Sequence, residues 1–338
     1  MPSLPPDALF MQLAMGRWIS QSLGAAATLG IADLISTDPV PVAELAAKTN
    51  TQPEALYRLL RALASVGVFT ETSPKTFALT PIAECLRRDS PHSMRNMAMM
   101  LNDDWQLDGW KQLADCVRTG HHAKHAGGAT GEDLFSLFTE NPKALEIFQG
   151  AMSDMSRGAS KAVLAAYDFT GIGTLADIAG GHGLILTDIL RANASLKGML
   201  FERGEVIEGA KTGPYVKGLE SRLRFESGDF FKAVSPGADA YLMKHILHDW
   251  SDDLAIKILK NIRAVIPATG RLLLIESVIP EGNDPHPGKW IDLEMLVSPG
   301  GKERTEQEWK ALLASGGFNL TRVVPTKSLF CVIEATPV

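Results

Sequence analysis

The sequence is poor in the features that mark several large classes of protein. Cysteine is rare: Cys85, Cys116 and Cys331 lie far apart, and no C-x-x-C pair occurs. An odd number of dispersed cysteines excludes a disulfide framework and suits a reducing compartment. No apolar run reaches the ~18 residues that a membrane-spanning helix needs, and the start, MPSLPPDALF, lacks the basic and apolar regions of a signal peptide. We therefore expect a cytoplasmic protein that makes no membrane contact.

Positive charge is also in short supply. Lysine and arginine number 33 against 39 aspartates and glutamates, which gives a net charge of -6 over 338 residues. This balance argues against a general nucleic-acid binder. The chain has no internal repeat and no low-complexity tract. At roughly 100–200 residues per domain, its length predicts two domains with linking helices.

Residues 8–35 have the apolar spacing of an amphipathic helix. The recurring apolar positions are Leu9, Leu13, Trp18, Leu23, Ala27, Ile31 and Leu34. This apolar side is wider than one small domain needs to bury, which suggests a partner surface.

Residues 40–88 predict a winged-helix module, with a helix, a turn, a second helix and a short β-hairpin. Thr51 is the expected cap of the second helix, and Gly67 is expected to end it. Such a module binds DNA in some proteins and serves structure or dimerisation in others. Because the chain is acidic and this helix carries only Arg58 and Arg61, we favour dimerisation.

Residues 90–165 are expected to be mostly helical and are rich in methionine, which more often fills cores than binds ligands. Within them, the polar segment TGHHAKHAGGATGED contains His121, His122 and His125. Three histidines could ligate a metal, but no cysteine or acid stands at ligand spacing from them. A solvated loop is the better interpretation.

From about residue 172 onward, short apolar runs alternate with helix-like segments. The runs are TLADIA, GMLFE, RLRFE, DAYLMKH and RLLLIES. This alternation predicts βαβ units and a parallel sheet, hence an α/β, Rossmann-like domain. The last two runs, FNLTRVVP and SLFCVIEA, have no helix between them and predict an antiparallel hairpin at the end of the sheet.

The first strand leads directly into DIAGGHG, Asp177 to Gly183, and then into a helix. A strand, a glycine-rich turn and a helix N-terminus often form a nucleotide site. The G-x-G-x-x-G spacing that grips a pyrophosphate is missing, and Asp177 would repel a diphosphate. These features favour S-adenosylmethionine (SAM), which carries a sulfonium and an ammonium, over NAD. Glu202 is placed to accept the ribose hydroxyls, and Asp229 and Phe230 to contact adenine.

The fourth strand leads into LMKHILHDWSDD, residues 242–253. An H-x-x-H pair needs a third and usually a fourth ligand to hold a metal, and the sequence supplies none nearby. We therefore predict a structural role for His245 and a general-base role for His248. A phenol, with a pKa near ~10, is a poor nucleophile until a neutral imidazole takes its proton.

Two acids are candidates to orient His248. Glu276 ends the fifth strand, and Glu303 lies in the glycine-containing loop PGGKERT. A carboxylate on each side of the ring would fix its tautomer and raise its basicity. Ser251 or Asp252 is expected to cap the helix that follows.

Together these segments resemble the caffeate-type SAM-dependent O-methyltransferases, which include plant phenylpropanoid enzymes and bacterial natural-product enzymes. The winged-helix start, DIAGGHG, GDFF, KHILHDWSDD, IESVIP and PGGKERT occur in the family's order and spacing, so the resemblance covers essentially the whole chain. It implies a homodimer that exchanges amino-terminal helices, no nucleic-acid partner, and a SAM domain with a seven-stranded, mostly parallel sheet. We expect the dimerisation domain over 1–105, linking helices over 106–165 and the SAM-binding domain over 166–338.

The resemblance also implies roles for individual residues. The cofactor would be SAM, without a metal, held by Asp177, Gly180, Gly181, Gly183, Glu202, Asp229, Phe230 and Lys244. His248 falls on the family's base, with Glu276 and Glu303 as its flanking acids. Met152 falls on a methionine that packs against the acceptor ring.

The expected reaction is in-line attack of an acceptor hydroxyl on the SAM methyl group, with S-adenosylhomocysteine as the product. The acceptor pocket is expected to draw on Met97, Met100, Trp105, Met152, Met155 and Met295, which suits a small aromatic molecule. Asp249 either binds the acceptor or steadies the turn that holds His248.

The sequence departs from the family pattern at three places. Ala179 stands where a third glycine is usual, Glu202 replaces an aspartate, and the segment ERGEV stands in place of D-L-P-H-V. None of these changes removes a catalytic group, so they bear on SAM affinity and not on the type of reaction.

Two alternatives remain open at this point. The same fold could be repurposed for hydroxylation, decarboxylation or isomerisation, or the protein could be a SAM-responsive regulator that uses its winged helix without catalysis.

Overall fold

The structure is a computed structural model that describes residues 5–124, 137–138 and 141–338. Of the three loop histidines, His121 is exposed, His122 is half-buried, and His125 lies outside the described residues. No described helix is both long enough and apolar enough to cross a membrane.

The chain divides into two compact units. The first comprises Met1–Lys111 and His125–Met155, and the second comprises Gln112–Lys124 and Ser156–Val338. The domain limits predicted above stay predictions.

The first unit contains seven described helices before its second segment begins, together with a small sheet. The helices are α1 Pro6–Ala14, α2 Gly16–Leu29, α3 Val42–Thr49, α4 Pro53–Ser65, α5 Pro81–Glu84, α6 Arg95–Met100 and α7 Asp104–Trp110, with a 3₁₀ turn at Ile31–Leu34. The antiparallel strands are β1 Val40–Pro41, β2 Phe69–Ser73 and β3 Thr76–Leu79, in the order β1-β3-β2. The predicted helix-turn-helix and hairpin are confirmed in α3, α4, β2 and β3.

Two helices of this unit end at or just before a glycine. The single helix predicted over 8–35 is wrong in detail, because the chain breaks at Met15 and the second helix ends at Gly30. Gly30 and Gly67 have φ values of 65° and 80°, in the left-handed region that glycine adopts without steric cost. The predicted stop at Gly67 is confirmed.

Two apolar clusters hold the first unit together. Leu60 and Leu63 of α4 pack with Phe69 and Phe77 of the hairpin, and all four are buried. The amphipathic spacing of α4 explains why this face turns inward. The second cluster joins α6, α7 and the start of α9, the helix Pro142–Ala166 that runs on into the second unit.

The second unit alternates strands with helices. Its strands are β4 Thr174–Ile178, β5 Lys197–Glu202, β6 Leu223–Ser227, β7 Ala240–Lys244, β8 Arg271–Glu276, β9 Phe318–Pro325 and β10 Cys331–Pro337. Its helices, besides the end of α9, are α8 Leu113–Thr119, α10 Leu184–Ala192, α11 Gly204–Thr212, α12 Asp252–Arg263, α13 Gly288–Val297 and α14 Glu306–Ser315.

These strands form one sheet in the order β6-β5-β4-β7-β8-β10-β9. β4 to β8 pair in parallel, and β10 pairs antiparallel with both β8 and β9. The predicted seven-stranded, mostly parallel sheet with a terminal hairpin is therefore confirmed. The central strands are apolar at successive positions because helices cover both faces of a parallel sheet.

One predicted helix cap is wrong, and another is in place without its capping bond. The N-cap residue of α4 is Gln52, whose side chain makes no capping hydrogen bond. Thr51 Oγ1 lies 2.9 Å from Thr49 Oγ1 instead. Ser251 occupies the N-cap position of α12 but its hydroxyl makes no capping bond. The carboxylate of Asp252 is bound by side chains from another loop, described below. Short polar side chains have several local partners, so sequence alone does not choose among them.

Candidate active site

The predicted site residues gather at one edge of the sheet. Asp177 lies in β4, Glu202 ends β5, Lys244 ends β7 and Glu276 ends β8. Because these strands are parallel, their carboxyl ends share an edge, and open α/β sheets bind ligands there. The topology thus brings together groups that lie far apart in the sequence.

His248 lies in the 3₁₀ turn Leu247–Asp249, shortly after β7, and is 8% exposed. The chain enters this turn through His245, whose φ of 53° is uncommon for a residue with a side chain. The His245 ring packs against Phe330, with ring centroids 3.9 Å apart. Burial and the nearby lysine lower the pKa of His245 well below its ordinary value, which keeps its ring neutral.

One nitrogen of His248 faces two glutamates. Nδ1 donates to Glu303 Oε1 at 2.8 Å, and Glu276 Oε2 lies 3.8 Å from the same nitrogen. Glu276 is itself fixed, since its Oε1 accepts from the backbone N–H groups of Ile246 and Leu247, each at 3.1 Å. Glu276 and Glu303 are almost completely buried.

The predicted arrangement of one glutamate on each side of the ring is therefore wrong. Both acids approach Nδ1, and the carboxylate on the Nε2 side belongs to Asp249, whose Oδ1 lies 3.3 Å away. The sequence could not show which nitrogen each acid faces, because that depends on how the end of β8 and the Glu303 loop pack against the histidine turn.

This cluster of acids controls the protonation of the ring. Burial disfavours the charged imidazole, but Glu276, Asp249 and Glu303 outweigh burial and raise the pKa of His248 to about 10. Burial and the neighbouring acids likewise raise the pKa of Glu276 to about 7. The pKa of His248 is raised because three carboxylates surround its ring and stabilise the charged form. The resting cluster therefore holds a proton on the imidazole at neutral pH.

The loop that carries Glu303 approaches the histidine turn very closely. Lys302 N–H donates to His248 O at 2.9 Å, and a Cβ placed on Gly301 would lie only 1.9 Å from that oxygen. Glu303 N–H donates to Asp292 Oδ1 of α13 at 2.8 Å. The loop ends at Thr305, which forms a capping box with Glu308 at the start of α14.

The sequence pattern did not single out three residues that build this arrangement: Gly301, Asp292 and Arg304. Arg304 is fully buried and bonds to both loops. The adjacent glycines of PGGKERT are the signal that could have been used, because paired glycines often mark a close backbone approach. Nothing in the sequence pattern distinguishes Asp292 or Arg304 from a surface charge.

The glycine loop lies over a buried acid. Asp177 is fully buried, and neither of its carboxylate oxygens accepts a hydrogen bond from a described residue. A Cβ on Gly180 would lie 2.3 Å from Asp177 Oδ2. Burial, partly offset by Lys244, raises the pKa of Asp177 to about 7. Ala179, the departure from the family pattern, adopts a φ of 57°, which costs about 1–2 kcal/mol for a residue with a Cβ.

Glu202 is bonded to the same glycine loop. Its carboxylate accepts from Gly181 N–H at 3.2 Å and from Arg203 N–H at 2.8 Å. The longer side chain therefore reaches back to the glycine loop, and the departure from aspartate keeps both acceptor oxygens at the end of β5.

Asp229 and Phe230 follow β6, as predicted. Asp229 Oδ1 accepts from Phe231 N–H at 2.9 Å. The ring of Phe230 lies 4.7 Å from that of Phe231 and 6.2 Å from that of Trp250. Lys244 lies at the end of β7, which pairs with β4, and burial lowers its pKa.

These residues fit a cofactor that carries positive charge. The buried, unbonded carboxylate of Asp177 and the nearby acid of Glu202 favour a cation. The side-chain-free backbone at Gly180 and Gly181 allows a ligand to approach closely. SAM has this charge pattern, whereas a dinucleotide would place a diphosphate beside the acids.

The predicted acceptor residues lie in both units. Trp105 and Met152 belong to the second apolar cluster of the first unit, together with Met97 and Met100. Met155 is half-buried in the same unit. In the second unit, Met295 is half-buried in α13, and Asp249 lies beside His248.

His248, Glu276 and Glu303 also meet one geometric condition for a metal site. Their donor atoms lie within 4.8 Å of one another. Nδ1 is already engaged in the bond to Glu303, and one oxygen of Glu276 is bonded to two backbone N–H groups. In this structure the three side chains form a hydrogen-bonded cluster.

Comparison with known proteins identifies the family of the chain. Residues 110–319 match the O-methyltransferase domain family, and residues 11–89 match the O-methyltransferase dimerisation domain. The chain is 41% identical to the phenazine O-methyltransferase PhzM of Lysobacter antibioticus, over 99% of this chain and 98% of that protein. It is 38% identical to the O-demethylpuromycin-O-methyltransferase of Streptomyces alboniger, over 97% and 88% of the two chains.

Solved structures agree with these matches. The crystal structure of human N-acetylserotonin methyltransferase in complex with SAM superimposes with a TM-score of 0.90 at 28% identity, covering 100% of this chain and 99% of that one. The chain therefore belongs to the O-methyltransferase family, and it is a SAM-dependent O-methyltransferase with an amino-terminal dimerisation domain.

Proposed function

We propose that this enzyme transfers the methyl group of SAM to a hydroxyl of a small aromatic molecule, with His248 as the general base. The observation that carries the proposal is the engagement of His248 Nδ1 by Glu303 at 2.8 Å, with Glu276 on the same side. Donation from Nδ1 to Glu303 fixes the tautomer in which Nε2 is the basic nitrogen. An acceptor hydroxyl that reaches Nε2 can give up its proton there.

The acids have two roles in this proposal. They hold the ring in one orientation, and they stabilise the imidazolium that forms when the acceptor loses its proton. Asp249 lies 3.3 Å from Nε2, on the side that the acceptor must approach. We propose that Asp249 contacts the acceptor hydroxyl.

The residues of the glycine loop and the strand ends hold the cofactor. We propose that Asp177 and Lys244 bind its amino-acid end, Glu202 its ribose, and Asp229 with Phe230 its adenine. Bound SAM supplies a methyl group that its sulfonium already activates. The protein contributes mainly alignment, which can lower the barrier by about 7–11 kcal/mol.

The acceptor is proposed to be a flat aromatic compound. Two relatives are named for phenazine and N-acetylserotonin, both of which contain fused aromatic rings. We propose that Trp105, Met152, Met155 and Met295 contact the ring, because thioethers and aromatic side chains pack well on aromatic faces.

An acceptor screen tests this function. The purified enzyme, given SAM and a panel of phenols, catechols and hydroxylated fused-ring compounds, is expected to release S-adenosylhomocysteine together with a methylated product. Matched methyl ethers of the same rings, which lack the free hydroxyl, serve as controls and should not react. A hydroxylated, decarboxylated or isomerised product without S-adenosylhomocysteine would contradict the proposal.

We also propose that the enzyme is a homodimer through its dimerisation domain. The first two helices expose large apolar side chains: Leu9, Phe10, Leu13 and Trp18 are 47%, 68%, 72% and 64% exposed. α1 contains no buried residue. A stripe of this kind on one monomer indicates a surface that a second chain covers.

Light scattering of the purified protein tests the dimer. The wild type is expected at twice the chain mass, and a Leu13→Asp, Trp18→Asp double variant at the monomer mass. A carboxylate buried without a partner costs at least about 3 kcal/mol, which weakens association more than about a hundredfold. Val117→Asp, a change at a 65% exposed apolar residue of the other unit, is the control and should stay dimeric. A double variant of dimer mass would show that the surface lies elsewhere.

A further inference from the structure

Arg304 is an arginine without exposed surface, and it immediately follows Glu303. Its Nε and Nη2 both donate to Asp252 Oδ1, at 3.1 and 2.8 Å, in a forked interaction at the start of α12. Its guanidinium also lies 5.0 Å from the ring centroid of Trp309. A buried guanidinium destabilises a fold unless its donors are satisfied, so a full set of partners is needed at this position.

The remaining donors reach backbone carbonyls on two different loops. Nη1 donates to Leu247 O at 3.2 Å and to Lys302 O at 3.1 Å. Nη2 donates to Trp250 O at 3.2 Å. Leu247 directly precedes the base, Trp250 follows it by two positions, and Lys302 directly precedes Glu303. One rigid guanidinium thus joins the two segments whose side chains form the His248–Glu303 bond.

The backbone of Arg304 is fixed as well. Its carbonyl accepts from Ile279 N–H at 3.1 Å, and the residue forms a parallel bridge with Val278 just beyond β8. β8 ends at Glu276, the other acid at Nδ1. Arg304 therefore ties both the histidine turn and the glutamate loop to the edge of the sheet.

We infer that Arg304 is a positioning residue for the reaction: its fork holds the His248 turn and the Glu303 loop in the register at which Nδ1 and the carboxylate meet. This inference rests on the proposal that His248 is the base. A planar guanidinium with five donors suits the task, and a lysine cannot replace it because one ammonium cannot reach Asp252 and the carbonyls of both loops at once.

The charged and titratable groups around His248 come from every element that packs on it. They are Glu276 at the end of β8, Glu303 in its loop, Asp249 in the same turn, His245 at the entrance of the turn, and Lys244 at the end of β7. Of these, Glu303 is held to the ring by the Arg304 fork. Loss of the fork should weaken the contribution of Glu303, whereas Glu276 keeps its own bonds to the turn through Ile246 and Leu247.

The test is Arg304→Lys, measured as kcat against pH with SAM and an acceptor from the screen above. We expect kcat to fall about 10²-fold, since small misplacements of a catalytic group have effects of this size. The rise of kcat with pH should move to lower pH by about 1–3 units, because an anionic partner of the imidazole is lost. The KM for SAM should not change, because Arg304 contacts none of the proposed cofactor residues.

A matched control separates positioning from stability. Arg222 is partly buried and its Nη1 donates to the carbonyls of Asn193 and Leu196, at 2.9 and 3.0 Å, at the amino ends of the strands. Arg222→Lys should lower the melting temperature but leave the pH profile as in the wild type. A purely structural Arg304 would behave as Arg222 does.

A second variant tests the same inference if Arg304→Lys does not fold. If Arg304→Lys does not fold, Asp252→Asn removes the fork's anionic partner at a side chain that is 49% exposed, and it should shift the profile in the same direction by a smaller amount. An unchanged profile in a folded Arg304→Lys, or in Asp252→Asn where Arg304→Lys fails to fold, overturns the inference.

Proton NMR of the His248 ring keeps this test independent of the base proposal. The hydrogen-bonded Nδ1–H signal, assigned by its absence in His248→Ala, should weaken or vanish in Arg304→Lys. If His248→Ala retains full turnover, the base proposal fails while this signal still reports on the fork. If the signal is unaltered, the positioning inference alone fails.

Discussion

Replacing His248 with alanine is expected to lower methyl transfer by about 10²–10⁴-fold, the usual contribution of a general base. Binding of SAM should be unchanged, since the proposed cofactor residues lie in the glycine loop and at other strand ends. The measurement is kcat with the best acceptor of the screen, together with calorimetric titration of SAM. Near-normal turnover with normal SAM binding would contradict the assignment of His248 as the base.

The activity of the wild type is expected to increase with pH. The acids raise the pKa of His248 to about 10, so the ring is mostly protonated at neutral pH and cannot accept a proton. The neutral fraction grows with pH, and kcat is therefore expected to rise through the neutral and mildly alkaline range. A plateau already reached at pH 7 would show that the reacting enzyme does not carry this raised pKa.

A phenolic acceptor ionises near pH ~10 as well, so the rise must be assigned to one group or the other. Glu303→Gln separates them, because it removes one charge beside Nδ1 and leaves the acceptor unaltered. The rise should then move to lower pH by about 1–3 units. A rise that stays in place in Glu303→Gln belongs to the acceptor.

Gly301→Ala is expected to be almost as damaging, although the residue touches no substrate. A Cβ at this position would lie 1.9 Å from His248 O and 2.5 Å from Asp249 C. Both atoms are backbone and cannot rotate away, so the glutamate loop must move outward and carry Glu303 with it. We expect a stability loss of about 1–3 kcal/mol or more and a fall in kcat of about 10²-fold.

Gly158→Ala is the matched control for that variant. Gly158 is exposed within α9, and a Cβ there would meet nothing within 4 Å. Alanine in a helix interior should stabilise the protein by about 0.5–1 kcal/mol relative to glycine, with no change in kcat. Thermal unfolding and kcat of both variants decide the matter, and a fully active, stable Gly301→Ala would mean that the loops are further apart than described.

Much of the fold followed from periodicity. Apolar runs of strand length alternate with helical segments from β4 to α14, and this alternation leaves a parallel sheet as the natural arrangement. The missing helix between β9 and β10 predicted the antiparallel end. Helix boundaries were less predictable, as the break at Met15 and the cap of α4 at Gln52 show, because they depend on weak local bonds with several competing partners.

The sequence by itself determined which residues are candidates for the site. Residues at the ends of parallel strands must share an edge, so Asp177, Glu202, Lys244 and Glu276 could be assigned to one site from their positions alone. Tertiary structure decided how those groups meet: both glutamates on Nδ1, Asp249 on Nε2, and the buried fork of Arg304 between the loops. The His248–Glu303 bond joins residues 55 positions apart. Its geometry depends on the packing of two irregular loops, which have no repeating pattern of side chains from which contacts could be predicted.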